Sequence, residues 1–116
     1  MNNQLLRLES DYRKYAEAYG KAVERDDATA ANRMFDKINA LGPKLRAHGL
    51  QGEAVLRRLM KDRSDVIASW AATDSLPFAE AEGLAVLDAL GKKAGSIAFD
   101  AEMTAEQWRA GKLKIG

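Results

Sequence analysis

The sequence predicts an all-α protein, a compact array of about six antiparallel helices, on three observations. Helix-forming Ala, Leu, Arg, Lys and Glu dominate, there are only two prolines, and no alternating β-branched run marks a strand. Apolar side chains return at three- and four-residue steps over most of the chain, so one face of each segment must find a partner to leave water. A length of 116 residues supports one continuous core but not two, so a single domain over 1–116 is expected, with 112–116 as a frayed tail.

The first helix is expected from Asn3 to Arg25, where Leu5, Leu8, Tyr12, Tyr15, Tyr19 and Ala22 draw one stripe and Gly20 weakens the run without breaking it. Asp26 and Asp27 suit the start of a second helix, because a short carboxylate accepts orphan backbone N–H groups and opposes the positive end of the dipole. The inward stripe of this helix is Ala31, Met34, Phe35, Ile38, Leu41 and Leu45, with Gly49 as a left-handed stop. Gly42-Pro43 predicts a kink or short break within it, since Pro43 lacks an N–H and its ring clashes with the preceding turn.

A third, short helix is expected from Gly52 to Lys61, with Val55, Leu56, Leu59 and Met60 on one side and Arg57, Arg58 and Lys61 on the other. Ser64 is placed to cap a fourth from Asp65 to Thr73, whose buried side is Val66, Ile67, Trp70 and Ala71. Pro77 suits the first position of a fifth helix, Pro77 to Leu90, closed by Gly91. Leu84, Val86, Leu87 and Leu90 fill one of its faces, and Ala81, Ala85 and Ala89 make a second smooth one, so it should pack between neighbours. A weaker segment with Ile97, Phe99 and Ala101 then leads to a terminal helix. Thr104 and Gln107 have capping-box spacing there, Trp108 is the anchor and Gly111 the stop.

Composition narrows function by exclusion. Hydrophobic residues at 47% and charged residues at 30% describe a chain that folds rather than one that stays disordered. No apolar run approaches the roughly 18 residues a membrane span requires, and Met1-Asn2-Asn3-Gln4 lacks the regions of a signal peptide, so a cytoplasmic protein is expected. The absence of cysteine removes disulfides, thiolate nucleophiles and zinc–thiolate sites. The lone histidine, His48, suits a helix C-terminus better than a general base, and no Glu stands three positions before it as a di-metal bundle site requires. No nucleophile elbow surrounds a serine, and the nine glycines form neither a dinucleotide loop nor a phosphate loop. A non-enzyme without metal or cofactor is therefore expected.

Net charge is +1, yet charge is unevenly spread. Residues 1–43 hold seven basic and seven acidic side chains, 44–63 six basic against two acidic, and 64–106 eight acidic against two basic. The sharpest surface features are thus a basic cluster, Arg57, Arg58, Lys61 and Arg63, and an acidic stretch, Asp74, Glu80, Glu82 and Asp88. Each reads either as a solvated helix face or as a docking surface for a partner of opposite charge. Nucleic acid is the weaker partner, because few basic groups cluster and no exposed aromatics accompany them. Tyr12, Tyr15 and Tyr19, with Trp70 and Trp108, read as core anchors.

The run Asp65-Val66 into Ala68-Ser69-Trp70-Ala71-Ala72 and on to Pro77–Leu90 resembles a HEAT-type helical repeat, with Ile67 where the typical repeat carries arginine. With Asn32-Arg33-Met34-Phe35-Asp36 and Trp108-Arg109-Ala110-Gly111, the chain resembles a family of small bacterial HEAT-like proteins, some of whose members serve as immunity proteins beside polymorphic toxins. The resemblance implies a HEAT/ARM-like right-handed array and a protein-binding role, most concretely neutralisation of a toxin domain. It carries over no functional residue. The alternative expectation is a self-associating scaffold, a homodimer packed through the alanine-faced fifth helix or the long first one.

Overall fold

Asn2 opens the first helix by accepting the Leu5 N–H on its side-chain oxygen at 2.8 Å. The computed structural model describes residues 2–115, and all of its regular structure is helical. Helix α1 spans Asn3–Glu24, α2 Ala28–Ala47, α3 Leu50–Met60, α4 Asp65–Ser75, α5 Glu80–Gly91 and α6 Ser96–Arg109. Two other caps act as their chemistry dictates. Asp27 accepts from the Ala30 N–H at 3.0 Å and Ser64 from the Ile67 N–H at 3.4 Å, each relieving an orphan donor at a helix start.

One hydrophobic cluster draws side chains from all six of these helices, including Leu5, Ile38, Val55, Ile67, Leu87 and Ala101. Helix α4 lies at its centre and packs against each of the other five. The sequence of α4 explains the position. Val66 and Ile67 fill space, while Ala68, Ala71, Ala72 and Ser75 are small enough to be buried on several sides at once. The Ser75 hydroxyl donates to the Ala71 carbonyl at 2.7 Å, so its burial leaves no polar group unmet.

Several expectations need correction. Helix α2 continues through Pro43 without a break; the bond Pro43 cannot make belongs to the carbonyl of Asn39, an exposed residue. Gly49, at φ +66°, both follows the end of α2 and opens α3, which therefore starts at Leu50 rather than Gly52. Pro77 does not begin α5. The Phe78 and Ala79 N–H groups both turn back to the Ser75 carbonyl, at 3.2 and 2.7 Å, so Pro77 sits in the turn that ends α4, and α5 starts at Glu80.

Helix α6 is one unbroken element, and Thr104 lies inside it. The Thr104 hydroxyl donates to the Asp100 carbonyl one turn back at 2.8 Å instead of capping a new helix. The buried face of α6 is Ala98, Ala101 and Ala105, and its large apolar residues Phe99 and Met103 are exposed. In α5 the buried residues are Gly83, Leu87 and Leu90, whereas Ala81, Ala85 and Ala89 all face outward. Past the helix, residues 112–115 are irregular, yet Leu113 and Ile115 are half-buried and Ile115 packs against the core. The tail up to 115 therefore lies on the protein instead of fraying from it; Gly116 lies outside the described residues. No helix among the described residues is long and apolar enough to cross a membrane.

Candidate functional site

The α1 stripe buries Leu5, Leu8, Tyr12, Ala16 and Ala22 but leaves Tyr15 and Tyr19 half-buried. The α2 stripe likewise buries Ile38, Leu41 and Leu45, while Phe35, one turn earlier, is 44% exposed. Near that end of both helices α4 presents Trp70, also half-buried. Three aromatic rings from three helices consequently meet beside the core. Trp70 stands edge-on to Tyr19 at 5.6 Å and 89°, and to Phe35 at 5.1 Å and 67°, while Tyr19 and Phe35 lie 6.4 Å apart. Edge-to-face pairs of this kind hold rings rigid and leave their outer faces apolar.

These rings form one wall of a cleft of about 530 Å³. Ile97, Met103 and Gln107 of α6 line the cleft as well, and Leu113, Lys114 and Ile115 border it from the tail. Its volume lies within the range of cavities that bind ligands or partner side chains. At 37% exposure, Met103 adds a pliable apolar contact to the cleft, and Phe99 follows one turn away on α6 with 63% of its surface open. The aromatic rings and Met103 thus give the cleft an apolar part, with Phe99 beside it, while Asn39, Ser69, Thr73, Asp100 and Thr104 make other parts of the lining polar.

Arg46 and Asp74 also line the cleft, and behind them lies a buried polar cluster. The Tyr12 hydroxyl donates to one carboxylate oxygen of Asp74 at 2.6 Å, and Arg46 donates to the other at 3.2 Å. The same Arg46 nitrogen donates to the Asp74 backbone carbonyl at 3.0 Å, placing positive charge on a carbonyl in the last turn of α4. Gly42 makes room for this arrangement: a Cβ there would overlap the Asp74 carboxylate. Burial raises the Asp74 pKa to about 6, and the tyrosine and arginine only partly oppose it. Burial also pushes the Tyr12 phenol well up, with the Asp74 charge adding to it. Desolvation, then Asp100, raises Tyr19.

The surface patches read from the sequence look different in three dimensions. Asp74 is 5% exposed, so its placement on an acidic docking face is corrected: its carboxylate is consumed internally by Tyr12 and Arg46. Arg57 donates to Glu82 at 3.1 Å and lies over the Phe78 ring at 5.2 Å. Arg58 reaches Glu9 of α1 at 2.7 Å, and Arg109 grips Asp88 with two bonds of 2.8 and 2.6 Å. Glu80 accepts the Trp108 indole N–H at 2.7 Å, so Trp108 is tied to α5 by its polar edge. These pairings hold Glu9 and Asp88 below the usual carboxylate range, chiefly through the arginine hydrogen bonds. Lys61 and Arg63 remain as exposed cations. Arg57 and Glu82 thus pair across the basic cluster and the acidic stretch, whereas Arg58, Asp74, Glu80 and Asp88 bond to residues outside both.

His48 occupies the C-cap of α2 and does not line the cleft. Among the described residues no group of three or more His, Cys, Asp or Glu is placed to hold a metal. The aromatic wall was hidden in the sequence because Tyr19, Phe35 and Trp70 fit the core-facing period of their own helices, yet the fold leaves all three partly uncovered.

The fold is similar to that in the crystal structure of the protein RPA1889 from Rhodopseudomonas palustris CGA009. The TM-score is 0.84 over 95% of this chain and 92% of that one, at 21% sequence identity. No protein-family model and no curated protein matches the chain significantly.

Proposed function

We propose that the chain is a non-catalytic protein-binding module and that its receptive surface is the cleft walled by Tyr19, Phe35 and Trp70. The observation that carries this reading is the rigid aromatic wall opening onto exposed Phe35, Met103 and Phe99, an apolar surface of the kind monomeric proteins keep for partners. Aromatic anchors at the centre of an interface supply most of its binding energy. The charged residues first singled out, with the exception of Asp74, would then form the polar rim or the solvated back of the module.

The sequence resemblance supports a finer form of the proposal: the six helices stack as a right-handed HEAT-like array, and the partner is a bacterial toxin domain neutralised by the bound module. A cytoplasmic site of action belongs to the same reading. The test is co-expression with a toxin encoded beside the gene, comparing the intact chain with Phe35→Ala. A complex on gel filtration and protection from toxicity, both lost in the variant, support the proposal; protection that survives Phe35→Ala places the interface elsewhere.

Self-association is the second reading, favoured by Ala81, Ala85 and Ala89, which lie in one exposed row along α5. Light scattering across micromolar concentrations separates the two, since a strict monomer removes the second.

A further inference from the structure

Two carboxylates line the cleft, and the fold answers only one of them. Asp74 is held by Tyr12 and Arg46, whereas the carboxylate of Asp100 on α6 engages no hydrogen-bond donor or cation among the described residues; Thr104 uses only its backbone carbonyl. The difference shows in acidity. Arginines hold Glu9 and Asp88 low, but Asp100 is raised, with burial as the cause. The two cations bordering the cleft leave it unmet: Arg46 is paired with Asp74 at 3.2 Å, and Lys114 stands exposed on the tail. A partly desolvated carboxylate without a counter-charge favours a ligand that brings one.

The negative charge stands near the aromatic wall, since it also raises the Tyr19 phenol. The rings favour a ligand of the same sign. Their interplanar angles are 54°, 89° and 67°, so no single direction lies in all three planes, and at least one ring turns part of its face to the cleft. A ring face is the negative end of its quadrupole and attracts a cation within about 6 Å. Because the centroids stand only 5.1 to 6.4 Å apart, a cation meets the wall from the cleft and not between the rings.

We propose that the cleft receives an arginine side chain of the partner, its guanidinium lying against the aromatic wall and donating to the Asp100 carboxylate. The inference rests on the cleft being the partner surface, and it specifies what the partner places there. Arginine suits the site better than lysine: its planar guanidinium is weakly hydrated, stacks on rings and offers a fork of donors that matches a carboxylate. Its methylene stem would cover Ile97 and Met103, which line the cleft from the same helix as Asp100.

The test titrates the full chain with N-acetyl-argininamide and with its neutral analogue N-acetyl-citrullinamide, read by the indole N–H resonances. The chain has two tryptophans, and Trp108, bound to Glu80 and outside the cleft lining, is the internal reference. The arginine probe is expected to shift the Trp70 signal saturably, leave that of Trp108 in place, and bind at least about tenfold more tightly than the citrulline probe. Asp100→Asn alters an exposed side chain without a bond to lose, and is expected to weaken the arginine probe to the level of the citrulline one. Equal binding of the two probes, or arginine binding unchanged in Asp100→Asn, reduces the cleft to an apolar surface and overturns the proposal. A Trp70 signal that stays in place at tens of millimolar probe overturns it as well. The probe comparison on the unaltered chain decides even if the variant fails to fold. A toxin complex lost in Phe35→Ala but kept in Asp100→Asn retains the binding module and discards the arginine, whereas selective arginine binding with a complex indifferent to Phe35→Ala keeps the cation site and discards the proposed function.

Discussion

Tyr12 and Asp74, separated by 62 residues in sequence, share a buried hydrogen bond of 2.6 Å that ties the middle of α1 to the end of α4. Arg46 joins the pair from α2, so three helices meet at one carboxylate behind the cleft. Low dielectric makes such a cluster sensitive to the loss of any member.

Tyr12→Phe keeps the ring in the core and takes the donor from Asp74. A buried acceptor left short of a partner costs about 1–3 kcal/mol, and urea unfolding at pH 7 is expected to show a loss of that size. An unchanged midpoint would mean that Tyr12 contributes only its ring.

Asp74 also sets a pH dependence. Its folded pKa, about 6, lies above the ordinary value of 3.8, so between these values the folded state holds more protons than the unfolded one. The stability this group contributes is full below pH 3.8 and declines as pH rises through about 6. Asp74→Asn removes the titration. The stability of the original chain minus that of the variant is therefore expected to fall between pH 4 and pH 7, by about 2 kcal/mol. Urea series at several pH values read the difference directly, and a difference that grows with pH would reverse the assignment.

Gly42→Ala pits two effects against each other. Replacing a helical glycine by alanine gains about 1 kcal/mol in propensity, but the new methyl overlaps the Asp74 carboxylate and displaces it from Tyr12 and Arg46. Loss of those bonds costs about 1–3 kcal/mol each, so destabilisation is expected to win. Thermal unfolding checks the sign, and combining Gly42→Ala with Asp74→Ala should recover much of the loss.

Arg57→Ala tests the opposite kind of contact. Both partners of the Arg57–Glu82 pair are well exposed, and such pairs contribute about 0–1 kcal/mol. Denaturation midpoints should barely move, even though the substitution removes a charge from what reads in sequence as the most prominent basic cluster.

What the sequence discloses and what it hides divide along the range of the interactions. Asp27 and Ser64 are legible as caps because each acts on an N–H three residues away. The core faces of α1 to α4 are legible because Leu, Ile and Val mark them. Helix α6 is harder to read, since its inner face is alanine and its bulky apolar residues point outward. Asp74 looks like one more acidic surface residue because its partners, Tyr12 and Arg46, lie 62 and 28 positions away. The charged clusters mislead for the same reason: Arg57 and Arg58 find their carboxylates 25 and 49 residues away, and only the packing of α3 against its neighbours brings them within reach. The cleft itself is lined from α1, α2, α4 and α6 together, a juxtaposition that no single-helix periodicity encodes.

A net charge of only +1 gives the molecule little long-range field with which to draw a charged partner from a distance. Encounter at the aromatic cleft would then proceed at the unguided rate of about 10⁵–10⁶ M⁻¹s⁻¹ and change little with ionic strength. Tightness in such a complex must come from slow departure, governed by how completely the rings are enclosed once contact is made.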